Sequence, residues 1–439
     1  MLPIGLSRPL VVLVVLGTSL ALVNTVFAQD VSYQLSNPAS MPLSGGTPSP
    51  LRVLIDETLQ KNPQIATSSS AWLAAQKVPQ EVSALPDTQV WVQQFSVGSP
   101  RPFAGYSNSD FAYIGFGISQ DIPYPGKRHL LAVAAQHDSD SMRAQTDSVR
   151  ANIVGNLKTA YFQLAYIQET LGILQKDQEL LKQVQESTEA RYRVGQGSQQ
   201  DVLKAQLQRT KILQEFAQHH QEEGTLEAQI KELLGRPQDS PDIMTEALVA
   251  RTIPFSAAEL LEKARDQNPD LQAQSATLKQ REAQIEIAHR NSRPDFNVQY
   301  NYQHTASEFR DYYMATFSVR LPNRGRQKAE LAQAQEKEEQ SRHELDSESQ
   351  QVLSEVQQQY VKAKTTEEQL KIYSDGLIPQ SKATFRAALS AYQSNRQDFA
   401  SLLSVFLDVL NFDMEYRNQL AEHEAALADL ERLTGVEFR

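Results

Sequence analysis

Between residues 295 and 304 every second side chain is apolar. Phe296, Val298, Tyr300 and Tyr302 alternate with Asn297, Gln299, Asn301 and Gln303. A period of two puts each set on its own side of a pleated backbone, so the segment predicts a strand with one apolar face and one uncharged polar face. Residues 311–321 repeat the pattern, with Tyr313, Ala315, Phe317, Val319 and Leu321 on one side. Ile114, Phe116 and Ile118 do the same within 110–121, and a less regular strand over 88–97 carries Trp91, Phe95 and Val97, interrupted by Gln93. Each segment is about ten residues, the length a tilted membrane-spanning strand needs. The loops between them are polar, and aromatics gather at their edges: Phe103, Tyr106, Phe111, Phe309 and Tyr312. That placement matches the aromatic girdle of a membrane barrel. A soluble sheet with one wet face has the same alternation, but an apolar face backed by a polar one fits lipid outside and water inside.

After each pair of strands comes a proline-containing turn and then a very long helical pattern, from about Lys127 to Val194 and from about Arg326 to Ala391. Roughly 67 residues rising 1.5 Å each give a helix of about 100 Å. Alanine, glutamine and charged residues dominate both, leaving a narrow apolar stripe. In the first, Leu157, Ala160, Leu164, Ile167, Leu171, Leu174 and Leu181 recur at the three-and-four spacing of a coiled-coil seam. The last helix repeats it with Phe399, Leu402, Phe406, Val409, Asp413, Tyr416 and Leu420. Asp413 interrupts that seam and is read as facing a water-filled lumen. Pro379 predicts a bend in the second long helix, and Pro79 a kink in a helix over 51–84.

The plan occurs twice, at an offset of roughly 200 residues. Asn62-Pro63 returns as Asn268-Pro269, Tyr161 falls on Tyr360, and Leu234-Gly235 on Thr434-Gly435. Ile118-Ser-Gln-Asp-Ile-Pro-Tyr-Pro-Gly-Lys-Arg returns as Phe317-Ser-Val-Arg-Leu-Pro-Asn-Arg-Gly-Arg-Gln. The expected organisation is a signal peptide over 1–28, an extended Ser/Pro/Gly-rich linker over 29–50, and two repeats over 51–253 and 254–439. Each repeat reads as helix, strand pair, long helix and returning helix. The signal segment has Arg8 before the run Leu10-Val-Val-Leu-Val-Val-Leu, and Val26-Phe27-Ala28 as a cleavage site.

Composition removes several chemistries. There are no cysteines, hence no disulfides, thiolate metal sites or thiol catalysis. The formal charge of −11 makes nucleic acid a poor partner. His219 and His220 are adjacent and point to different helix faces, and His129, His137, His289, His304 and His343 are scattered. No metal site, cofactor or catalytic set is expected, and so no enzyme. Gly115, Gly117 and Gly126 lack the spacing of a phosphate loop.

Four strands cannot span a membrane alone, because their edges would leave unpaired backbone groups in hydrocarbon. Three chains of four strands close a twelve-stranded barrel, within the known range. At this point the chain resembles a known family. The order of elements, the doubled plan, Gly126-Lys-Arg after the second strand, and Tyr192-Arg-Val-Gly-Gln-Gly-Ser-Gln-Gln-Asp-Val-Leu between the long helices are similar to the TolC-type outer-membrane efflux proteins. The Asp-Ile-Pro-Tyr-Pro-Gly-Lys-Arg turn is most similar to the heavy-metal branch.

The resemblance implies a mainly α fold with a small β part. Long antiparallel helices form an α-barrel, and four strands per chain join a trimeric barrel. It implies a homotrimer in the outer membrane, in contact with its lipid, with a long periplasmic extension. It also implies a periplasmic adaptor and an inner-membrane pump, with substrate passing passively to the outside. It places adaptor docking at the tip residues Tyr192, Gly195, Gly197 and Asp201, with Asp201 capping the returning helix. In the second tip Asp398 and Arg396 are the expected gate residues, although Tyr392 is read there as standing in the glycine's place. A secretion duct for polypeptides and a periplasmic coiled-coil scaffold are the alternative readings.

Overall fold

The computed structural model describes residues 48–305 and 310–438. The signal segment, the linker up to residue 47 and Phe309 lie outside the described residues. The first helical segment is three helices, not one kinked helix: α1 (Leu51–Lys61), α2 (Pro63–Ala75) and α3 (Val78–Ser83). Asn62 makes the first break. It is extended (φ −66°, ψ 123°), and its side-chain oxygen accepts from the N–H groups of Gln64 and Ile65, with Pro63 at the first helical position. An Asn cap followed by Pro starts a helix more strongly than either residue continues one. Pro79 sits in the first turn of α3, where its missing N–H costs nothing, so the second break lies ahead of it at Gln76 and Lys77.

Two strands follow, β1 (Gln89–Phe95) and β2 (Tyr113–Ile122), then α4 (Lys127–Arg193) and α5 (Gln199–Leu234). The second half repeats the order. Its elements are α6 (Ala257–Gln267), α7 (Pro269–Arg290), β3 (Asp295–Thr305), β4 (Asp311–Arg320), α8 (Arg324–Ile372), α9 (Ile378–Gln393) and α10 (Phe399–Thr434). The halves match in detail. The Asn62 side-chain amide donates to the Leu233 carbonyl at 2.9 Å, and the Asn268 amide to Leu433 at 3.0 Å. Gly235 and Gly435 end the returning helices with φ of 66° and 68°, a left-handed cap that glycine adopts without strain. The connection between the halves is pinned by Arg251, which donates to Glu424 at 2.6 Å, Glu431 at 3.1 Å and the Phe438 carbonyl at 2.8 Å.

The long helix α4 spans 67 residues. Its seam is buried throughout, and one helix thereby serves two cores. Leu157, Ala160 and Leu164 pack with Leu54, Ile230, Leu234 and Ala421, while Leu174 and Leu181 pack with Ile212, Phe406 and Leu410. In α10 Leu410, not Val409, completes the buried set of Phe399, Leu402, Phe406 and Leu420. Asp413 is not simply open to water: Lys382 of α9 pairs with it at 2.9 Å. The second long helix loses α geometry at a π turn, Tyr373–Leu377. Pro379 supplies the cause, since it cannot donate to the carbonyl four residues back and its ring crowds that carbonyl.

The strands form one antiparallel sheet in the order β1-β2-β3-β4. The register lines up Val92, Phe116, Tyr302 and Tyr313 in one row, and Val90, Ile118, Tyr300 and Ala315 in the next. The apolar face therefore takes Val90 and Val92 from β1. Trp91 and Phe95 belong to the other face, contrary to the sequence expectation. Glycine explains the exception: a Cβ on Gly117 would overlap the Trp91 indole and the Asn301 carboxamide, so glycine lets the indole lie flat there. The other positions on that face include Gln93, Ser119, Asn297, Gln299 and Thr316. No helix among the described residues is long and apolar enough to cross a membrane.

Candidate functional site at the helix tips

Both long helices end in a tight reversal. In the first, α4 stops at Arg193 and α5 begins at Gln199. The Gly195 N–H donates to the Tyr192 carbonyl at 3.0 Å and the Gln196 N–H to Arg191 at 2.8 Å. Gly195 has φ 75°, which glycine reaches freely. Gly197 packs against the helix end, where a Cβ would meet the Tyr192 nitrogen at 3.3 Å. Ser198, not Asp201, is the cap residue. Its hydroxyl accepts from the Asp201 N–H at 3.1 Å, and the Asp201 carboxylate accepts from the Ser198 N–H at 3.4 Å. The pair is a reciprocal capping box, and Asp201 is its third-position half.

The second tip copies this geometry with different residues. The Asn395 N–H donates to Tyr392 at 3.1 Å and the Arg396 N–H to Ala391 at 2.8 Å. Asn395 holds φ 60°, so it stands where Gly195 stands. Tyr392 is therefore the counterpart of Tyr192 and does not replace a glycine. Asp398 matches Ser198 as the cap, accepting from the Ser401 N–H at 2.9 Å, and Ser401 matches Asp201. The Ser401 hydrogen bonds, side chain first and then backbone, hold the Asp398 carboxyl below its usual range, with Lys204 assisting. Asp398 and Arg396 are both exposed, and neither forms an ion pair among the described residues.

What differs is the burial of the tips. Tyr192 is 47% exposed, whereas Tyr392 is 7% exposed. Tyr392 packs with Phe399, Leu402, Ala388 and Ala205, the last from α5. Arg191 at the end of α4 fixes it there. Its guanidinium lies 4.5 Å from the Tyr392 ring centre and donates to the Tyr392 carbonyl at 2.6 Å and the Asn395 side chain at 2.5 Å. The Thr188 and Tyr392 hydroxyls lie 3.2 Å apart. Sequence reasoning missed Arg191 and Thr188, because partners about 200 residues apart leave no local period. Only the alignment of the two tips could have pointed to them. The exposed faces differ as well. Leu203 and Leu207 of α5 are open (56% and 58%), while their counterparts Leu403 and Leu407 join the interhelical clusters.

Comparison with known proteins bears on the chain as a whole. A family model described as "Outer membrane efflux protein" matches residues 54–236 and 260–435. No curated protein sequence matches significantly. Among solved structures, the outer-membrane channel OprN superposes with a TM-score of 0.77 at 17% identity, covering 88% of this chain and 90% of its own. CusC gives 0.77 at 16% identity, covering 88% and 92%. VceC from Vibrio cholerae gives 0.73 at 17% identity, covering 89% and 97%. Such even scores single out no branch.

Proposed function

This chain belongs to the outer membrane efflux protein family, and from that premise we propose that three copies close one channel that conducts substrate passively, with no chemistry of its own. The sheet carries this reading. Its apolar rows are largely exposed, and among the described residues the outer edges of β1 and β4 have no strand partner. In hydrocarbon an open edge strands backbone donors and acceptors, so the edge of β4 pairs with β1 of the next copy. Three times four strands gives the even barrel of twelve. The helices support the same assembly: α5 exposes Leu203 and Leu207, and α8 exposes Val361 and Ile372, on helices that do not pack closely on each other among the described residues.

In this reading the tips lie at the periplasmic end. The first tip, with its exposed Tyr192, its tight Gly195–Gly197 turn and its Ser198–Asp201 box, docks the adaptor. An inner-membrane pump then supplies substrate through that adaptor. The second tip forms the gate, where three Asp398 carboxylates and three Arg396 side chains ring the opening and Arg191 ties the tip to α4. A ring of carboxylates favours cations. Planar-bilayer recording tests this. Asp398→Ala is expected to lower cation selectivity, and Arg191→Ala to raise conductance by releasing Tyr392. Unchanged selectivity and conductance in both would remove the second tip from the gate.

A further inference from the structure

The π turn at Tyr373–Leu377 opens a cleft of about 420 Å³ beside it. Tyr166 of α4, Tyr373 of the turn, and Asn411, Phe412, Met414 and Glu415 of α10 line it. The Tyr373 and Phe412 rings, both lining the cleft, meet at 59° with centroids 6.3 Å apart. The Tyr166 ring also meets the His219 ring at 85°, with centroids 6.3 Å apart. Glu415 accepts from the Gln419 side chain at 2.8 Å and has no cationic partner among the described residues. No lysine or arginine lines the cleft. Burial raises the Tyr166 and Tyr373 phenols, and the Glu415 carboxylate adds to both shifts, so its field reaches the two rings. Pro379 explains why the helix is distorted, yet not why the space beside the distortion is aromatic, acidic and unfilled.

We propose that this cleft is a binding site for an organic monocation, an alkylammonium or aromatic cation, with Tyr373 and Phe412 offering their ring faces and Glu415 the countercharge. Ring faces attract cations electrostatically, most strongly where water is partly excluded. A cleft that mixes aromatic and methionine surface with one fixed negative charge suits an organic ion. A hydrated metal ion is a poor fit, because one carboxylate and one carboxamide cannot replace its oxygen shell. Anions meet Glu415 unopposed. The inference deepens the channel reading and rests on it for the supply of ligand: it names a class of ligand that the helical body holds.

Equilibrium dialysis of the purified, detergent-solubilised full-length protein against benzyltrimethylammonium tests it, with benzenesulfonate as the anionic control. Saturable cation binding is expected with a Kd below about 1 mM. Glu415→Gln should weaken it about tenfold and Phe412→Leu several-fold, since leucine keeps most of the bulk but loses the ring face. Absence of saturable binding, equal binding of benzenesulfonate, or both variants binding like the parent would overturn the proposal. The same preparation recorded in planar bilayers in potassium chloride separates the two claims. A conducting protein that does not bind removes the cation site and leaves the channel, while one that does not conduct counts against the channel itself.

Discussion

Large apolar side chains meet opposite surroundings in the helices and in the sheet. On α4, Leu157, Leu164 and Leu174 are sealed at 0% exposure by neighbours from other helices. On the sheet, Val92 and Phe317 remain 68% and 65% exposed although the register sets them beside Phe116 and Val298. A seam that buries itself is the signature of folding in water. Rows of Val, Ile, Phe and Tyr left open on one face, over a polar face, are the signature of an environment that is apolar only on that side. The two regions are built for two solvents, and the polar and charged helix surfaces end where the sheet begins.

The largest expected effect breaks this contrast at the sheet. Val298→Arg puts a cation on the apolar face once in every chain, at about 2–4 kcal/mol each near mid-bilayer. Assembled protein in the outer membrane should fall steeply, as read by fractionation and immunoblotting. Gln299→Arg, one residue away on the polar face, should assemble normally and shift ion selectivity toward anions. Equal losses from both would mean that neither face meets lipid.

A second substitution pair sharpens the comparison from the helical side. Leu164→Ala leaves a void among Leu54, Ile230 and Ala421, and should cost about 2–5 kcal/mol, seen as a lower denaturant midpoint with an unchanged slope. Val298→Ala should cost far less, because lipid can close over the missing methyl groups. A smaller effect concerns pH. Burial, and then the nearby Asp413 carboxylate, push Asp177 of α4 up to about 6, with Lys382 opposing. The folded state thus keeps a proton that the unfolded chain releases near the ordinary value of 3.8. Stability of the helical body should therefore fall as pH rises between about 4 and 6 and level off above. Thermal unfolding across that range should show the slope, and Asp177→Asn should flatten it.

Much of this architecture was legible because local patterns and global packing agree. The end of α4 at Arg193 falls within one residue of the expected boundary, and every seam residue from Leu157 to Leu181 is buried. The errors have particular causes. Trp91 has the size of a lipid-facing residue, but Gly117, which bears no side chain, lets the indole lie on the polar face while Val90 and Val92 take the other. At the second tip no glycine is needed, because Asn395 tolerates the positive φ that Gly195 holds, and Tyr392 is free to match Tyr192. The caps fall at Ser198, three residues ahead of the expected Asp201, and at Asp398, whose sequence reading is a gate residue. The Arg191 contacts with Tyr392 and Asn395 were not legible, since they join the two repeats.

The central claim is that one chain supplies a third of a barrel. The most direct test is the mass of the protein extracted by detergent from a purified outer-membrane fraction, measured by light scattering corrected for bound detergent. The account predicts three chains per particle, heat-dissociable to one. A monomer, or protein released from the membrane by high salt without detergent, would contradict it.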